Sequence, residues 1–126
     1  MKTVKFSVEK EGNAYTAAAP EFSIYDYAST LAQLNANVRT ALALQCEEMG
    51  EDVNQYEVVF EYDIPSLFDA YNYINAKSFA ARIGMNNVLL NQYTQGAKKP
   101  SAKQKARIEA GFQTLAQELA AAHVGA

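Results

Sequence analysis

The sequence predicts an α+β protein in which a βββαβ domain is followed by an all-helical one. Three observations carry this. Val4, Phe6 and Val8 alternate with Lys5, Ser7 and Glu9, and Tyr56, Val58, Phe60 and Tyr62 alternate with Glu57, Val59 and Glu61. That period of two marks half-buried strands. Apolar residues recur at helical spacing over residues 31–49 and again beyond residue 64. Finally, charge changes sign along the chain. Residues 1–74 carry four basic and twelve acidic groups, a balance of −8, whereas residues 75–126 carry seven basic and two acidic groups, a balance of +5. Such asymmetry points to two modules with different partners, here residues 1–63 and 64–126.

The elements follow in order. The first strand holds Val4 to Val8, and Glu11-Gly12-Asn13 is turn chemistry. Tyr15 to Ala19 is a second strand, stopped by Pro20. Residues 22–27, aromatic and β-branched, form a third. Ser29 or Thr30 caps a helix with Leu31, Leu34, Val38, Ala41 and Leu42 on its inner face, ending near Met49 and Gly50. The fourth strand is residues 56–62. Pro65 suits the first turn of a second helix after Asp63, with Leu67, Phe68, Tyr71 and Ile74 as its apolar stripe. Asn75 caps a third. Ser101 caps a long last helix with Ile108, Phe112, Leu115 and Leu119 on one face, where Gly111 reads as a close-packing position.

Composition narrows the function. With 49% apolar residues among 126, the chain can bury a core. No apolar run is long enough to span a bilayer, and the first ten residues alternate in polarity, unlike a signal peptide. Cys46 is the sole cysteine, which leaves no intrachain disulfide and no cysteine-based zinc site. These features predict a cytoplasmic protein with no membrane partner. The sole histidine, His123, lies near the end of the sequence, a poor place for a catalytic base. A metal-dependent nuclease would need carboxylates converging on divalent ions. Glu57 and Glu61 instead take the outward phase of a strand, and no Asp sits centrally in the first strand. The expectation is therefore no catalytic residue, no metal and no cofactor. An exposed acidic face suits a basic protein partner. Glu21, Tyr25, Asp26 and Tyr27, near a sheet edge, are the candidate contacts.

Residues 79–101, FAARIGMNNVLLNQYTQGAKKPS, read as a helix, a tight turn, a second helix and a basic exit. Phe79, Ala80 and Ile83 form a buried helical face. Gly84 supplies a φ > 0 turn, Met85 plugs the core and Asn86 caps the next helix. Leu90 and Tyr93 face inward, and Gly96 ends the helix. This is helix-turn-helix spacing, in which the second helix enters the DNA major groove. From 75 to 108 there is no acid. On the second helix Asn87, Val88, Asn91 and Gln92 are not needed for the core. Asn and Gln can pair with adenine edges, and Val88 can meet a thymine methyl. Asn86, Lys98 and Lys99 are placed to meet phosphate.

Two resemblances extend this reading. Residues 14–44, AYTAAAPEFSIYDYASTLAQLNANVRTALAL, resemble the HicB antitoxin domain, with Tyr15, Ala17, Pro20, Glu21, Thr30, Leu31 and Ala41 matching its pattern. The family's usual Gly-Cys and Gly-Asp turn is replaced here by IYDYAS. Residues 79–101 are similar to the Cro and Xre-type, lambda-repressor-like helix-turn-helix at Phe79, Ala80, Ile83, Gly84, Met85, Leu90, Tyr93, Gly96, Pro100 and Ser101. That match would put base contacts on Asn87, Val88 and Gln92. The resemblances imply a partly degraded RNase H-like domain without nuclease activity, which blocks a small basic mRNA-cleaving HicA-like toxin. They also imply repression of the operon at double-stranded operator DNA, by a homodimer or higher homo-oligomer. The alternative is a free-standing helix-turn-helix regulator whose N-terminal domain oligomerises or senses another partner.

Overall fold

The computed structural model describes residues 1–125 as an α+β chain with a four-stranded mixed sheet and five α-helices. The elements are β1 (Lys2–Glu11), β2 (Ala14–Ala19), β3 (Ile24–Ala28), α1 (Leu31–Met49), β4 (Tyr56–Tyr62), α2 (Ile64–Ala70), α3 (Ala76–Arg82), α4 (Asn87–Thr94) and α5 (Ala102–Ala121). They fall into two compact units, Met1–Ala70 and Tyr71–Ala126. No helix among the described residues is long and apolar enough to cross a membrane.

In the first unit the strand order is β3-β2-β1-β4. β1 pairs antiparallel with β2, placing Val8 opposite Ala17, and parallel with β4, placing Phe6 opposite Phe60. The parallel pair requires a crossover, which α1 supplies. The period of two then sorts side chains between faces. Val4, Phe6, Val8, Ala17, Ala19, Ile24 and Ala28 bury against Leu34, Val38, Leu42 and Cys46 of α1. Thr30 caps α1, its hydroxyl accepting the Gln33 N–H at 3.1 Å. The Cys46 thiol is 1% exposed, and burial pushes its pKa up. The Tyr56 hydroxyl donates to Glu51, tying the loop after α1 to the start of β4. That bond, with burial, pushes the Tyr56 pKa up to about 12. The bond's contribution is complete below the ordinary tyrosine pKa of 10 and is lost as pH rises through 12.

Two local features depart from the periodicity. Pro20 starts a 3-10 turn, Pro20–Phe22, closed by the Ser23 N–H on the Pro20 carbonyl at 3.0 Å, with Ser23 left-handed at φ 54°. The third strand therefore begins at Ile24, not residue 22. The second helix stops at Ala70, and residues 71–74 form a turn in which the Ile74 N–H bonds the Tyr71 carbonyl at 3.0 Å. The expected stripe through Tyr71 and Ile74 does not form. α2 instead buries Ser66 and Phe68. The Ser66 hydroxyl accepts the Lys10 N–H at 3.0 Å, and Asp69 pairs with the Lys10 ammonium at 2.6 Å. These bonds tie α2 to β1, and the first compact unit runs to Ala70.

In the second unit α5 packs across the end of α3. Phe79 and Phe112 stack tilted by 37°, with ring centroids 4.6 Å apart. Gly111 makes the approach possible: a Cβ there would overlap Ile83 Cγ2 and stand 3.0 Å from Phe79 Cζ. Ile108 is 1% exposed. Leu119, expected on this face, is instead 63% exposed. The side chain of Arg82 pairs with Glu118, adding a tie between the same two helices.

We predict that Gly111→Ala destabilises the second unit. In an open helix, alanine gains ~1 kcal/mol over glycine. Overpacking a close contact costs ~1–3 kcal/mol, which should dominate here. Urea unfolding followed by helical circular dichroism should show a net loss of about 1 kcal/mol. A variant as stable as the parent would mean that α5 does not lie this close to Ile83.

Candidate functional site

The geometry of α3, its turn and α4 follows from three capping events. Asn75 starts α3 by accepting the Ser78 N–H at 2.9 Å. The helix ends with the Met85 N–H on the Ala80 carbonyl at 2.9 Å and the Gly84 N–H on the Ala81 carbonyl at 3.2 Å. This paired closure needs a left-handed residue, and Gly84 has φ 69°. Met85, next in line, is drawn into the core at 5% exposure. Asn86 then opens α4, its side-chain oxygen accepting from the N–H groups of Val88 at 2.8 Å and Leu89 at 3.2 Å.

α4 is amphipathic in a specific sense. Leu90 and Tyr93 are buried, at 0% and 5% exposure. Asn87, Val88, Asn91 and Gln92 are all exposed, and their spacing places them side by side on one face. Leu89 is half-buried at the margin. An exposed Val88 among amides leaves an apolar contact surface on an otherwise hydrogen-bonding face. The helix closes as α3 does, with the Gly96 N–H on the Tyr93 carbonyl and the Ala97 N–H on the Gln92 carbonyl at 3.0 Å. The Lys98 N–H also reaches the Gln92 carbonyl, at 3.3 Å. The exposed Lys98 and Lys99 are thereby held beside the end of α4. Asn87, Val88, Asn91 and Gln92 thus share one exposed face of α4, with the exposed Asn86 before the helix and the exposed Lys98 and Lys99 after it.

One residue of this region was not singled out from the sequence. The Arg107 guanidinium lies beside the turn, 3.9 Å from where a Gly84 Cβ would be. It places a cation at the junction of α3 and α4. Periodicity could not find it, because the contact spans the chain from α5 to the turn.

The four candidate contacts of the first unit lie at the β3 edge of the sheet but do not share one face. Tyr25 and Tyr27 project from the side opposite α1 and are 65% and 67% exposed. Asp26, with the alternate phase, faces the α1 side and accepts the Tyr27 N–H at 2.8 Å. Glu21 is exposed in the 3-10 turn before the strand. Tyr25 and Tyr27 lie beside Ala18 and Thr16 of β2, and Glu9 of β1 continues the row. Glu57 and Glu61 are exposed on β4, the latter 3.5 Å from Lys5. Among the described residues no three or more His, Cys, Asp or Glu side chains are grouped to hold a metal ion.

Asn86→Ala should cost ~1 kcal/mol of stability by removing the cap of α4, whereas Asn86→Asp should retain it. Chemical denaturation checks both. Equal loss in the two variants would show that the cap is not what holds the helix start.

The chain was compared with protein-family models, with curated proteins and with solved structures, and none matches it.

Proposed function

We propose that this chain is the antitoxin of a HicA–HicB-like type II toxin–antitoxin pair and a repressor of its own operon. In this reading α3 and α4 are a Cro/Xre-type helix-turn-helix, and α4 is the recognition helix. The observation that carries it is the pairing of surface and charge. The exposed amide face of α4, flanked by Lys98 and Lys99, lies in the unit that carries +5, with no acid from 75 to 108. An amide-rich helix can read base edges, while surrounding cations neutralise phosphate.

The first unit, carrying −8, suits a small basic protein. Its β-β-β-α-β order is the one implied by a partly degraded RNase H-like domain. The exposed tyrosines of β3 favour a protein contact, since tyrosine is enriched in interface cores. This favours toxin neutralisation over the alternative of a regulator whose first unit only oligomerises. The reading involves no catalytic step. Operators of this class are two-fold, so the chain would act as a homodimer, with the exposed Leu119 end of α5 as the candidate contact.

Two variants test the DNA half. Gln92→Ala should weaken binding to the chain's own upstream DNA and relax its sequence preference, by ~1–3 kcal/mol. Lys99→Ala should weaken all sequences alike and lower the salt dependence by about one counterion. Gel-shift titrations at several salt concentrations separate these outcomes. Unchanged binding in both folded variants would remove α4 as the recognition helix.

A further inference from the structure

The open edge of β3 borders a groove that the DNA and fold arguments leave unused. The sheet order ends at β3, which pairs with β2 on one side only. The Tyr27 N–H bonds the Asp26 carboxylate, so it points away from β2. By the alternation of an antiparallel ladder, the backbone N–H and C=O of Tyr25 point the same way. Beside this edge, between Ser23–Ile24 and the flank of α1, runs an open groove of about 600 Å³. Its wall on α1 includes Ala41 and Leu44, the latter 61% exposed, and its charged groups are Glu47 and Glu48. No lysine or arginine lines it.

We propose that this edge and groove bind an extended, basic polypeptide segment as a fifth strand of the sheet. The inference deepens the antitoxin reading, on which the identity of the partner rests, by giving its toxin contact a mode. An added strand would draw its main-chain bonds from the N–H and carbonyl of Tyr25 and the carbonyl of Tyr27, the Tyr27 N–H being held by Asp26, and would send alternate side chains to opposite faces. On the α1 side, apolar side chains would enter the groove against Leu44 and Ala41. On the other side, cations would lie over the exposed rings of Tyr25 and Tyr27. Asp26, Glu47 and Glu48 would meet further cations. The same charges oppose a second copy of this chain as the occupant, because both copies would bring Glu47 and Glu48 to the seam.

The test uses the full ¹⁵N-labelled chain and an end-blocked eight-residue peptide in which lysine alternates with valine, with one central valine replaced by lysine so that a cation also faces Glu47 and Glu48. Amide shifts should concentrate in residues 23–28 and 41–48. Binding should fall at least tenfold when alternate peptide amides are N-methylated, and similarly in the surface variant E47K/E48K. A glutamate-for-lysine peptide should not bind. Shifts confined to other surfaces, no binding, or equal binding of the N-methylated peptide would overturn strand addition. The protein encoded by the adjacent reading frame is titrated in parallel. If it binds the parent and E47K/E48K equally, the antitoxin reading stands and this site fails. If it does not bind while the peptide does, the site stands and the antitoxin reading fails.

Discussion

The second unit depends on the contact of Gly111 with Ile83 and Phe79. Without a side chain at Gly111, α5 can lie directly on the end of α3. Ile83 is the last residue before the turn, so fixing it fixes where Gly84 must reverse the chain. Met85 then enters the core and Asn86 caps α4 at a set position. The exposed face of α4 is thus a consequence of packing on the other side of the unit. Interiors are packed densely enough that one added methyl is felt. A displaced α5 would therefore move the turn and the helix that follows it.

Charge is organised on a larger scale than any ion pair. Salt bridges such as Lys5–Glu61 are exposed and contribute little to stability. The separation of −8 from +5 instead concerns encounter. Each unit attracts partners of opposite sign, and such steering acts on association rates and weakens with salt. Mixed charge would serve solubility as well. The α3–α4 region carries no acid at all, which in the proposed reading favours a polyanionic partner. The acidic unit carries its exposed tyrosines and an apolar groove together with the negative charge, which suits a basic protein surface.

Much of this fold was legible in the sequence because it rests on local signals. Alternation in β1 and β4, the Thr30 and Ser101 caps and the glycine turn at Gly84 each depend on a few neighbouring residues. The exposed face of α4 was legible for the same reason, as what remained once Leu90 and Tyr93 were assigned inward. Long-range contacts were less so. Ser66 is polar, and nothing in its surroundings announces that its hydroxyl will hold the Lys10 N–H and tie α2 to β1. Leu119 fits the apolar stripe of α5, but a stripe does not reveal which of its members find a packing partner, and Leu119 is exposed. Arg107 beside Gly84, and the groove between β3 and α1, arise from tertiary placement alone.

The central claim is that one chain uses its two oppositely charged units for two different partners. The most direct measurement combines the chain with the protein encoded by the adjacent reading frame and with the DNA upstream of both. Complexes are resolved by gel shift and their composition is read by native mass spectrometry. The account predicts a complex containing this chain, a small basic protein and the DNA. It also predicts that Gln92→Ala removes the DNA while leaving the protein pair intact. A chain that retards no upstream DNA and forms no complex with a small basic neighbour would contradict it.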